Sequence, residues 1–95
     1  MPELTVPIPM RIEGELTGSA TACDGNVLSA VSPKAFPPGR PIELLLLPES
    51  GELKLSARAI GSKKRDDGSF ELRVRLVNLR RQARERLDAL FSIQR

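Results

Sequence analysis

The chain has 95 residues, 15 lysines and arginines against 12 acidic residues, one cysteine and no histidine. That length suits one domain with a single modest core, and the net charge of +3 permits an acidic partner without demanding one. A lone Cys23 excludes an internal disulfide and a cysteine cage for a metal, and the missing histidines remove the commonest general base and transition-metal ligand.

Residues 1–10 carry Pro2, Pro7 and Pro9, which bar a helix and disfavour interior sheet positions. This segment is expected to be an extended arm, with Val6, Ile8 and Met10 packing along an edge, and the folded domain is expected over 11–95. A short strand over 11–16, interrupted by Gly14, leads to a turn at Thr17-Gly18. A strand of small residues follows over 19–23, in which Cys23 reads as a small apolar side chain. Asp24-Gly25-Asn26 is turn chemistry, because Gly25 and Asn26 tolerate positive φ. A third strand is expected over 27–32, then a proline-rich loop over 33–39.

The fourth strand, over 41–47, is apolar on both faces. Ile42, Leu44 and Leu46 share one side and Leu45 and Leu47 the other. Such a strand is usually covered twice, so Leu45 and Leu47 are expected under the C-terminal helix or, if exposed, as a partner patch. After a turn over 48–51, Leu53, Leu55, Ala57 and Ala59 alternate with Lys54, Ser56 and Arg58 to give a fifth strand. Lys63-Lys64-Arg65-Asp66-Asp67-Gly68 is a charged hairpin tip. The sixth strand alternates Phe70, Leu72, Val74 and Leu76 with Glu71, Arg73 and Arg75. The period then changes: Leu79, Ala83, Leu87, Leu90 and Phe91 lie on one helical face, with Asn78 placed to cap it. The expected fold is mainly β, a six-stranded antiparallel barrel with one C-terminal α-helix.

In its order of pieces the chain resembles a PilZ domain over about residues 11–92. The segments "FPPGRPIELLLLP", "GELKLSARAIG" and "FELRVRLVNLRRQARERLDALF" follow that family's succession of turn, strands and helix. Val77-Asn78-Leu79 and the span from Arg84 to Leu87 match its last strand and the R-x-x-L of its helix. The resemblance implies a bacterial signalling module of the kind that binds cyclic di-GMP. Members that bind it carry R-x-x-x-R before the first barrel strand and D/N-x-S-x-x-G between the second and third. Arginines pair with phosphate and stack on guanine, and the short polar residues read the guanine edge.

Here residues 1–10 contain no arginine, and Arg11 stands alone. Of the second motif Asp24 matches, Asn26 replaces serine and Ser29 replaces glycine. A dianion without its two arginines loses several charge-assisted hydrogen bonds, each roughly 1.5–3 kcal/mol. The expectation is therefore a degenerate PilZ-like adaptor with no cofactor, no metal and no catalytic residues, acting by protein contact or self-association. The alternative is a cyclic di-GMP receptor using Arg11, Asp24, Asn26 and Ser29 in a non-standard way.

For the protein contact, Arg80, Arg81 and Arg84 are candidates beside Leu45 and Leu47, because cations at a helix N-terminus oppose its dipole. A nucleic-acid reader is disfavoured because no Trp or Tyr is available for base stacking. The absence of an eighteen-residue apolar run and of a basic n-region points to a cytoplasmic protein with no membrane insertion.

Overall fold

The computed structural model describes residues 3–48 and 51–92. Six strands precede one helix: β1 (Glu3–Ile12), β2 (Leu16–Asp24), β3 (Val27–Ser32), β4 (Pro41–Leu46), β5 (Leu53–Lys64), β6 (Phe70–Val77) and α1 (Arg81–Ser92). All pairings are antiparallel, and the sheet closes as a barrel in the order β1-β2-β3-β6-β5-β4. Period-two alternation builds it. Leu72, Val74 and Leu76 of β6, Leu53, Leu55, Ala57 and Ala59 of β5, and Ile42, Leu44 and Leu46 of β4 all point inward and are buried. Leu28 and Ala30 of β3 and Met10 and Ile12 of β1 complete the core.

The segment expected as an arm is a barrel stave. β1 pairs with β2 on one side and with β4 on the other, so it closes the cylinder. Its prolines are accommodated because Pro7 and Pro9 face outward and a register shift lies between Glu3 and Ile8. The Pro9 carbonyl still serves the wall by accepting the Leu47 N–H at 2.8 Å. Ile8 and Met10 are buried; the side chain of Val6 lies outside the described residues.

The first turn falls at Glu13-Gly14 (φ 56° and 73°), not at Thr17-Gly18. Gly18 sits inside β2 for a different reason: a Cβ there would lie 2.4 Å from the Val31 carbonyl oxygen. Two irregularities were equally invisible in the alternation. One, between Ala20 and Ala22, shifts the phase of β2 so that Cys23 lies opposite the inward Leu28. The other, between Ala59 and Gly61, takes Ile60 out of the pairing with β6; the alternation of β5 already turns Ile60 outward, where it is exposed. Glu49 and Ser50 of the predicted turn lie outside the described residues.

Each end of the barrel has a plug. Phe36, from the loop between β3 and β4, fills one end and is held by Ser62 of β5, whose hydroxyl accepts from the Phe36 N–H (2.9 Å) and donates to its carbonyl (3.2 Å). At the other end α1 lays Leu87 and Phe91 into the core, with Leu79, Ala83 and Leu90 half-buried around them. Asn78 is not the cap. It takes a left-handed conformation (φ 51°) that turns the chain from β6, a role asparagine tolerates better than branched residues. The helix starts after Arg80, whose carbonyl accepts the Arg84 N–H at 2.9 Å.

Candidate functional site

The outer faces of β1, β4 and β5 bring two predicted residues, Arg11 and Leu45, into one place with Lys54. Leu45 is directly opposite Arg11 on β1 and Lys54 on β5, so the three side chains form one row across the wall. Around this row lies a depression of about 470 Å³ lined by Arg11, Glu43, Leu45, Lys54 and Ser56 among others. A second depression of about 270 Å³ shares Lys54, Leu55 and Ser56 with the first and extends to Leu79 and Arg80 at the start of α1. Together they make a groove from the β1 stave to the helix N-terminus.

The charges in this groove are unevenly committed. Glu43 is tied down: its carboxylate accepts the Ser56 hydroxyl at 2.9 Å, and its backbone N–H donates to Glu13 at 3.3 Å. Glu13 in turn pairs with Arg40 at 3.2 Å, the single ion pair among the described residues. Arg11, Lys54 and Arg80 are exposed and have no carboxylate partner among those residues. Arg80 and Arg81 start a helix whose first turn holds no acidic residue, so their charges meet the positive end of the dipole uncompensated. The groove is therefore an apolar strip with a cationic rim. Leu45 is half-buried and is not covered by α1, which closes the barrel end instead of the wall. Leu47, also half-buried, is not part of the groove lining.

The remaining predicted residues go elsewhere. Asp24 and Asn26 are exposed in the β2–β3 turn. Ser29 is buried on β3 opposite Ala22, and its carbonyl accepts the Thr21 hydroxyl at 3.2 Å. Arg11 is paired with Thr17, near the far end of β2, which puts it roughly 20 Å along the strand from Asp24. These four residues do not converge on one ligand.

Arg84 is half-buried and engaged with the barrel, donating to the Asn26 side-chain oxygen and to the Gly25 carbonyl. Arg86 does the same across the mouth, donating to the carbonyls of Glu52 (2.9 Å) and Gly51 (3.1 Å). The two arginines are struts for the helix, a role their spacing in the sequence does not announce. Lys54 is the groove residue the sequence reading passed over. Its signal was the alternation itself, which puts Lys54 outside whenever Leu53 and Leu55 are inside.

Cys23 lies half-buried near α1. Burial pushes its thiol above the usual range, with Arg84 pulling the other way, so it is a poor nucleophile. Among the described residues no group of three or more Cys, Asp or Glu gathers to hold a metal, and no helix is long and apolar enough to cross a membrane. No family model matches the chain, and no curated protein or solved structure matches it.

Proposed function

We propose that this barrel is a degenerate PilZ-like domain that works as a non-catalytic adaptor, docking a protein partner in the groove around Leu45. The observation that carries this reading is the pairing of a half-buried leucine that α1 does not cover with cations that form no ion pair among the described residues: Arg11 and Lys54 flank Leu45, and Arg80 stands at the groove's end. A partner that fits presents an apolar side chain flanked by carboxylates. It is another protein or a second copy of this chain. The PilZ resemblance carries with it a bacterial, cytoplasmic signalling setting such as control of motility, type IV pili or surface polysaccharide.

Cyclic di-GMP reception is the second reading. What favours it is Arg84, a guanidinium against the turn that holds Asp24 and Asn26, although Arg11 is too distant to join it. Titration calorimetry separates the two. No heat with cyclic di-GMP, together with partner capture lost in Leu45→Asp and in Arg80→Glu/Arg81→Glu, supports the adaptor. A stoichiometric exotherm abolished by Arg84→Ala replaces it with the receptor.

A further inference from the structure

A different part of the wall holds a charge arrangement that works against folding. Arg58 of β5 lies directly opposite Arg75 of β6, and like charges so placed repel. Arg73 shares the outward face two residues before Arg75. Among the described residues no carboxylate lies within 4 Å of any of the three guanidinium groups; the Arg58 side chain donates to the Gly39 carbonyl at 3.1 Å, and the side chains of Arg73 and Arg75 have no such partner. Glu71, the nearest acid on β6, lies opposite Lys63. Beside this cluster stands Ile60, the one large apolar side chain that is exposed among the described residues, turned outward by the alternation of β5.

From this juxtaposition we infer a second docking surface, formed by Arg58, Ile60, Arg73 and Arg75, for an extended acidic polypeptide segment. Arg73 and Arg75 project about 7 Å apart, the spacing of alternate side chains on an extended strand. A segment with carboxylates at i and i+2 meets both guanidinium groups, and its third carboxylate or a shared one reaches Arg58. Guanidinium–carboxylate pairing supplies orientation, and Ile60 supplies one apolar anchor. Single-stranded nucleic acid is a poorer fit because Phe36 and Phe91 are buried and Phe70, half-buried, is in phase with the inward residues of β6, so the outer face carries no aromatic ring for base stacking. A lipid surface is a poorer fit because one isoleucine offers little to insert. The inference is independent of the adaptor reading: Arg58 is four residues along β5 from Lys54, about 13 Å away.

The test is an NMR titration of the full chain with a synthetic peptide of alternating glutamates around one central isoleucine. Inorganic phosphate, a poly-dT oligonucleotide and phosphatidylcholine–phosphatidylserine vesicles serve as rival probes. Amide shifts centred on residues 58–61 and 73–75, with affinity falling about tenfold or more in Arg75→Glu and in Arg73→Glu, are the expected result. Leu45→Ser should leave that affinity unchanged. Arg75→Glu also gains an ion-pair partner in Arg58, so its melting temperature should hold or rise, and loss of binding cannot be ascribed to unfolding. Shifts centred on the Leu45 groove, no binding by the peptide, or tighter binding of any rival probe at these residues overturns the inference.

Discussion

The Ser62 hydroxyl both accepts from and donates to the backbone of Phe36, across 26 positions of sequence. This reciprocal pair pins the loop between β3 and β4 so that the Phe36 ring stays in the barrel end. The Arg40 guanidinium lies over the outer side of that ring, 5.4 Å from its centre.

Ser62→Ala removes both bonds at once. The expected loss is about 1–3 kcal/mol of unfolding free energy, at roughly 0.5–1.5 kcal/mol for each hydrogen bond. Denaturant titration checks this; the midpoint should fall with the slope unchanged. Phe36→Ala leaves the end unfilled as well and should cost more, about 3–5 kcal/mol.

Gly18 has no room for a methyl group. In Gly18→Ala the new Cβ meets the Val31 carbonyl at a distance real contacts do not show, and backbone must move between β2 and β3. The expected cost is about 1–3 kcal/mol, as for other overpacked sites. The same substitution at Gly61, where nothing lies within 4 Å, should be far milder. A thermal melt of the two variants side by side gives the comparison.

Arg80 occupies the position before the first helical residue without offering a capping oxygen. Arg80→Asp supplies that oxygen and reverses an unfavourable charge at the dipole's positive end. Stability should rise by about 1 kcal/mol or more. If the groove docks an acidic partner, the same variant should lose that partner. A gain in melting temperature coupled to loss of capture is the signature of a residue retained for contact.

Cys23 reports on the helix. Its thiol is half-buried beside α1 and burial raises its pKa, so thiol reagents should label it slowly at neutral pH. Removing both struts in Arg84→Ala/Arg86→Ala frees the helix from the Asn26 and Gly51 turns. Labelling should then accelerate while strand signals in circular dichroism persist. Unchanged labelling would mean that Leu87 and Phe91 hold the helix without help.

The parts of this fold legible in the sequence are those where one period runs unbroken. In β6 and β4, alternation fixed which residues enter the core, and in α1 the recurrence of Ala83, Leu87, Leu90 and Phe91 fixed the face turned to the barrel, whereas Leu79, expected on that face, packs against the core from ahead of the helix. Reading failed where a residue type carries two meanings. Pro7 and Pro9 argued for an arm, yet proline is tolerated facing outward beside an irregular pairing. Gly18 looked like a turn, whereas it is needed for the close approach of Val31. Asn78 looked like a cap and is a left-handed bend. Of the groove, Leu45, Arg11 and Arg80 were each visible singly. Their convergence on Lys54 depends on which strands become neighbours when β1 closes onto β4, and that is a long-range fact no local period encodes.

The closure of β1 onto β4 also limits how this molecule associates. Among the described residues every stave has a neighbour on both flanks, so no strand stands as an open edge along its whole length, although β1 meets β4 only from Met10 to Ile12 and its Glu3–Ile8 stretch has no partner on that side. Over the rest of the wall a companion is gripped by side chains, so its identity is written there in a few exposed residues and can be rewritten by changing them, leaving the cylinder intact.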